Sequence, residues 1–239
     1  MNSVIYGKNA VKEALKSKRT ISKVLVSKTS SGITEILHLA KEKSVVLKFV
    51  NKEKLKKFGE KTQGVVAFCS SIKFVEVEEI LEYAEKTKKS PFILICDGVK
   101  DPHNLGALCR TAYAVGVHGV IIAKRRSAPI NETVEKTSAG AINFLNISVV
   151  SNLTQTIKKL QKSGVFVYCA DGKGSNFYEF NFKGAVGLVV GSEEKGASFL
   201  VKKTCDGICG IPMKNNIDSL NVSVAGAVIL YEILKQNSV

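Results

Sequence analysis

From Pro91 onward the chain alternates short, nearly continuous apolar runs with helix-like segments, and this alternation restricts its fold more than any other feature. The runs are Phe92–Cys96, Val120–Ala123, Leu145–Val149, Val165–Ala170, Val186–Val190 and Gly207–Ile211. Helical patterns lie around Leu105–Val115, Glu132–Ala139, Leu153–Gln161, Ala197–Lys203 and Leu220–Lys235. Strands apolar on both faces and joined by helices predict a parallel sheet covered on both sides, so the expected class is α/β.

The residues before Pro91 read differently. Residues 1–75 predict a compact α/β unit. It has a helix over 3–18 (apolar at Val4, Ala10, Val11, Ala14 and Leu15), strands at Val24–Val26, Val45–Val50 and Val65–Cys69, and helices at 32–43 and Lys52–Phe58. Residues 76–90 are charged and read as a linker with helical character, leaving 91–239 as the second domain. Charge follows this division: residues 1–75 hold 16 Lys and Arg against 5 Asp and Glu, whereas 76–239 hold 19 against 16. A basic module joined to a near-neutral one predicts a polyanion-binding arm and a second part with another task. The competing reading is a lysine-rich surface, since the lysines are spread through 1–75 rather than massed.

No apolar run approaches the ~20 residues of a membrane span, and the charged start, MNSVIYGKNAVKEALKSKR, has no apolar signal core. A cytoplasmic protein with no membrane partner is expected. Six scattered cysteines without C-x-x-C spacing read as buried reduced thiols. With three histidines in the chain and none near Cys205 and Cys209, no metal site is expected.

Ligands of parallel α/β sheets sit beyond the carboxyl ends of the strands, and three such ends here carry unusual residues. The first is DGVKDPHNLGALCRTA, starting at Asp97, where Asn104 is a candidate helix N-cap and Gly106 allows close approach. Arg110 follows near the start of that helix, where it opposes the helix dipole and suggests an anionic partner such as phosphate; the alternative is a surface pair with Asp97 or Asp101. The second is GLVVGSEEKGAS, in which Gly191 and Gly196 bracket a short loop containing Glu193. Neither G-x-G-x-x-G nor G-x-x-x-x-G-K-[ST] occurs, which argues against an ordinary dinucleotide-binding or P-loop enzyme. The third is IPMKNNIDSLNVSVAGA, from Ile211, with Ser219, Asn221 and Ser223 at alternating positions where a helix begins. That is more hydrogen-bonding capacity than a cap requires.

Together, in this order, the three segments resemble the motifs of the SpoU/TrmH-type branch of the SPOUT RNA methyltransferases. YGKNAVKEAL and the QGVVA at Gln63–Ala67 resemble the small ribosomal-protein-like RNA-binding domain of the large-subunit (23S) rRNA guanosine 2′-O-methyltransferases. The resemblance implies a deep trefoil knot in the C-terminal domain, S-adenosylmethionine as cofactor, and a homodimer with the active site near its interface. Carried over by motif, Gly191, Gly196, Ile211, Met213 and Leu220 would bind the cofactor, and Asn104, Arg110, Glu193, Ser219 and Asn221 would form the catalytic floor. Two positions depart from the family pattern: Thr62 stands where a His often precedes Gln-Gly, and Asn215 where Gly is common. Asn tolerates left-handed geometry.

The reaction implied is attack of an RNA ribose 2′-hydroxyl on the sulfonium methyl. A guanidinium with pKa above ~12 is a poor base, so Arg110 reads as a clamp on phosphate and the developing oxyanion. The proton would leave through water or a phosphate oxygen. Other readings are a tRNA or other rRNA target, including resistance methylation, and a non-catalytic RNA-binding or ribosome-assembly protein. His103 is a candidate RNA contact, and His118 reads as a turn or packing residue.

Overall fold

The computed structural model describes residues 3–16, 20–69, 72, 74–215 and 219–238. The chain falls into two compact units, residues 1–73 with 129–132, and residues 74–128 with 133–239.

The first unit contains β1 (Ser3–Tyr6), α1 (Lys8–Lys16), β2 (Ile21–Ser27), α2 (Thr34–Glu42), β3 (Val46–Val50), α3 (Glu53–Lys56) and β4 (Val65–Cys69). The sheet order is β1-β4-β2-β3, with β4 antiparallel to both neighbours and β2 parallel to β3 across α2. Val11, Leu15, Val24, Val26, Ile36, Ala40, Val65 and Ala67 form its core. The helix expected over 3–18 is divided. Val4, Ile5 and Tyr6 pair with β4, and Gly7, at φ 93°, separates the strand from α1. β-Branched and aromatic residues followed by a glycine favour a strand and a turn over a helical start. The expected helix end at 17–18 lies outside the described residues.

The second unit opens with α4 (Val77–Lys86). The segment 76–90 is therefore no free connection: Val77 and Ile80 are buried in this unit's core beside Ile93, Ile95, Ile121, Ile157 and Val167. A capping box explains the sharp helix start, with Glu79 accepting from the Glu76 N–H at 2.9 Å. Then follow β5 (Phe92–Cys96), α5 (Pro102–Ala114), β6 (Gly119–Ala123), α6 (Glu132–Thr137), β7 (Ile147–Val150), α7 (Leu153–Lys162), β8 (Phe166–Asn176), β9 (Val186–Val190), α8 (Phe199–Thr204), β10 (Gly207–Gly210) and α9 (Val222–Asn237).

All six strands of this unit are parallel, in the order β10-β8-β9-β5-β6-β7. The chain runs outward from β5 to β7 and then crosses to fill the other side, so β5 and β9 flank the point where the strand order reverses. That is where α/β sheets bind ligands. β8 extends six residues past the expected Ala170. It pairs with β10 in two registers, Ile208 opposite Cys169 but Cys209 opposite Ser175. A Cβ on Gly174 would lie 2.6 Å from the Ile208 carbonyl oxygen, and one on Gly210 would lie 2.8 Å from that of Asp171. Backbones this close admit only glycine there.

His118, just ahead of β6, is a buried packing residue. Its Nδ1 accepts from the Phe92 N–H at 3.0 Å, and Nε2 lies 3.3 Å from the Thr87 hydroxyl, which itself donates to the Ala84 carbonyl. Burial, helped by the Lys89 ammonium, holds its pKa below the ordinary 6.5. An unfolded chain therefore binds this proton more readily than the folded one, and stability present above pH 6.5 is lost as pH falls toward the folded pKa. Thermal midpoints should drop on acidification through this window. His118→Asn, which keeps an acceptor for Phe92, should flatten the drop; an unchanged slope in the variant would assign the effect to other groups.

Candidate active site

The three loops beyond β5, β9 and β10 meet through side chains. Pro102 occupies the first turn of α5, and the carboxylate of Asp101 accepts from the His103 N–H at 2.9 Å. Asp101, not Asn104, is thus the N-cap. The cap falls one residue before proline because Pro102 has a helical φ and no N–H to satisfy. Asn104 lies inside the first turn, buried, and turns its side chain to the other two loops. Its Nδ2 donates to Glu193 Oε1 at 2.9 Å, and its Oδ1 accepts from Asn221 Nδ2 at 3.0 Å. Asn221 is the N-cap of α9, and its Oδ1 accepts from both the backbone N–H and the hydroxyl of Ser223, at 2.9 and 2.6 Å.

The two ends of this chain impose one polarity on it. A carboxylate accepts only and a backbone N–H donates only. Glu193 therefore draws the amide nitrogen of Asn104, and Ser223 N–H draws the amide oxygen of Asn221. The remaining oxygen of Asn104 and nitrogen of Asn221 then face each other as acceptor and donor. The bond to the carboxylate is the strongest, since hydrogen bonds to charged groups are worth about 1.5–3 kcal/mol against about 1 for neutral ones. Ser223, in the first turn of the helix, is thus the group that orients Asn221.

The loop after β9 is closed by reciprocal backbone bonds between Ser192 and Gly196, at 3.0 and 2.9 Å. Gly191 is required by contact, because a Cβ there would stand 1.9 Å from the Ala197 nitrogen. Gly196 adopts φ 65° and leaves room for Asp171, which forms an ion pair with Lys202. Burial raises the Asp171 pKa, but the Lys202 ammonium and the Lys173 N–H together outweigh it and hold the carboxyl below its ordinary value. Asp97, buried at the end of β5, accepts from the Ser198 N–H at 2.7 Å and faces Arg126 at 3.9 Å. It ties the β5 end to the start of α8. The sequence placed Asp97 in the first motif but offered no signal for this bond, which spans 101 positions.

The other expected residues lie apart from this network. Arg110 is exposed on α5 and has no hydrogen bond or ion pair among the described residues. It stands in the interior of the helix, beyond the first turn and short of the last, so the expected opposition to the dipole does not arise. Neither Asp97 nor Asp101 pairs with it. Ser219 is exposed and likewise unpartnered among the described residues. Ile211 and Leu220 are half-buried and Met213 is exposed. Among the described residues, the peptide groups of Gly191, Ile211, Met213 and Leu220 make no backbone hydrogen bond outside strand ladders. Asn216–Asp218 of the third motif lie outside the described residues. All six cysteines are free, Cys205 half-buried and the rest buried. Among the described residues no three His, Cys, Asp or Glu side chains gather as a metal site, and no helix is long and apolar enough to cross a membrane.

Two family models match the chain. The SpoU rRNA methylase family matches residues 91–231, and the RNA 2′-O ribose methyltransferase substrate-binding domain matches residues 4–75. The 23S rRNA (guanosine-2′-O-)-methyltransferase RlmB of Xanthomonas campestris is 39% identical, the alignment covering 98% of this chain and 97% of that protein. A Bacillus subtilis protein named in the TrmH family of tRNA/rRNA methyltransferases is 37% identical, with 98% and 96% covered. In fold, the chain is similar to the SpoU methyltransferase AviRb of Streptomyces viridochromogenes, solved with AdoMet. The TM-score is 0.64 at 22% identity, over 98% of this chain and 90% of that one.

Gly191→Ala should force the loop after β9 apart, because the atoms in the way are backbone. A loss of about 1–3 kcal/mol is expected, as for other overpacked sites, read as a lowered thermal midpoint of the full chain. A midpoint equal to that of the parent protein would show that the loop yields without cost.

Proposed function

The chain belongs to the SpoU rRNA methylase family, and on that premise we propose that this S-adenosylmethionine-dependent RNA 2′-O-methyltransferase acts on a guanosine of large-subunit rRNA. The observation that carries the reading is the hydrogen-bonded chain Glu193–Asn104–Asn221, one residue from each motif loop, at the reversal point of the sheet. The choice of rRNA guanosine rests on the relative that methylates it and on the matched substrate-binding domain. A tRNA is the second reading, favoured by the tRNA/rRNA naming of the Bacillus subtilis relative.

The residues at hand fit the cofactor. An adenine edge and two ribose hydroxyls call for unengaged peptide groups, and those of Gly191 after β9 and of Ile211, Met213 and Leu220 between β10 and α9 make no backbone hydrogen bond outside strand ladders among the described residues. Gly196 would shape the loop behind them. When bound, S-adenosylmethionine supplies an electrophilic methyl on a sulfonium. The protein's part is to position the ribose and stabilise the charge that develops on its oxygen. Asn104 and Asn221, already fixed in orientation, line the floor, and Glu193 holds them there. Ser219, with its hydroxyl unengaged, is left to contact the substrate. Arg110, an exposed guanidinium with no carboxylate partner, is available for phosphate and oxyanion. A guanidinium is a poor base, so the 2′-hydroxyl proton passes to water or a phosphate oxygen.

Two structural expectations belong to the same reading. The close backbone passage at Gly174 and Gly210 supports a C-terminal trefoil knot. The exposed Val224, Val228 and Tyr231, spaced along one face of α9, support a homodimer interface.

Mapping 2′-O-methyl sites in total RNA with and without this protein tests the substrate. One guanosine of large-subunit rRNA should lose its methyl in the protein's absence; a lost tRNA site, or none, would overturn the assignment. Arg110→Lys should retain S-adenosylmethionine binding and lose most turnover, at least about tenfold (about 1.4 kcal/mol of barrier). Near-normal methylation by that variant would exclude the clamp.

A further inference from the structure

The loop after β6 carries Lys124, Arg125 and Arg126 in succession, followed by Ser127. None of the three motifs includes it. A run of charges is ordinarily a solvated face, and three observations set this one apart.

The first is position. β6 is hydrogen-bonded to β5 on the side away from β9, so its carboxyl end adjoins the site. The Ala128 N–H donates to the Val99 carbonyl at 2.7 Å, tying the loop to the turn that precedes α5. A Cβ on Gly98 would sit 3.7 Å from the Arg126 carbonyl oxygen and 3.8 Å from Ser192 Cβ. The loops after β5, β6 and β9 thus converge at Gly98.

The second is charge. Residues 76–239 are nearly balanced, 19 basic against 16 acidic, yet Lys124 and Arg125 are exposed and make no ion pair among the described residues. Nearby Lys100, by contrast, is matched by Glu194 at 3.5 Å. Arg126 has only Asp97, at 3.9 Å, and that carboxylate already accepts from Ser198.

The third is strain. Arg126 is held at φ 65°, a left-handed conformation that is strained for a non-glycine residue. Ser127 Oγ is the one buried side-chain polar atom without a hydrogen-bond partner among the described residues. Strained backbone and an unpaired polar atom in one loop beside a site are features retained where a ligand uses them.

We infer that the loop 124–127 is a phosphodiester-binding subsite, in which Lys124 and Arg125 grip the backbone of the substrate RNA next to the target ribose. This rests on the methyltransferase reading above. Guanidinium forks suit phosphate oxygens, and the contact is indifferent to base identity. The subsite orients the strand over the floor formed by Asn104 and Asn221 and takes no part in methyl transfer.

The test uses the full chain, S-adenosylmethionine and unmodified rRNA and tRNA transcripts. Lys124→Gln with Arg125→Gln should raise the KM for RNA about tenfold or more and lessen the slope of log affinity against log salt by about one per lost contact. Turnover at saturating RNA and S-adenosylmethionine affinity should stay within about twofold, which also reports a folded site. Arg125→Lys, in the Lys124 background, should preserve the salt slope. If the double variant matches the parent in KM and salt slope while the parent methylates RNA, the subsite is refuted and the function stands. If the parent binds and methylates neither RNA, both fall.

Discussion

The carboxylate of Glu193 sets the direction of the hydrogen bonds on which the site depends. As an obligate acceptor it fixes the amide of Asn104, which fixes that of Asn221, and the donor-only N–H of Ser223 meets the same polarity from the far end. Three loops that leave three different strands are thereby locked as one floor. The two amides are thereby held in fixed orientations before any ligand arrives. The arrangement also explains why polar residues alternate at the head of α9: Asn221 both caps the helix and reaches across to α5, and Ser223 holds its amide in place.

The scaffold beneath is rigid for a different reason. β5 and β9 are almost wholly buried, and each large aliphatic side chain there contributes roughly 1.5–3 kcal/mol by leaving water. Where the chain must pass closest to itself, at Gly174, Gly191 and Gly210, side chains are absent because backbone atoms already occupy their space. A stiff apolar sheet with glycine crossings delivers the loops to one place; the polar chain then sets their side chains.

Charge divides the work. Residues 1–75 carry most of the excess positive charge and match the RNA 2′-O ribose methyltransferase substrate-binding domain; attraction between such a surface and a polyanion is sequence-independent and screened over about 10 Å at ordinary salt. The second unit is close to neutral overall, so its exposed cations act locally. Among the described residues Arg110, Lys124 and Arg125 are exposed and make no ion pair, and Arg126 faces Asp97 at 3.9 Å.

The alternation of apolar runs and helical segments was enough to read the parallel sheet, since strands buried on both faces need apolar residues throughout. The three motif loops were legible because their polar residues exceed what turns and caps require. Other features depended on partners distant in sequence. Val4–Tyr6 became a strand because β4 is there to pair with it, and 77–86 became core because β5 and β6 offer an apolar face. Asn104 looked like a cap but was free to face Glu193 and Asn221 once Asp101 took that place, 89 and 117 positions from its partners. By itself, then, the sequence determined which segments could be strands, helices and polar loops, because those follow from local pattern and apolar burial. Which side chains meet, which backbones admit only glycine and which cations stay unpaired were decided by the tertiary structure alone, because hydrogen bonds and close packing depend on distances that only the fold sets.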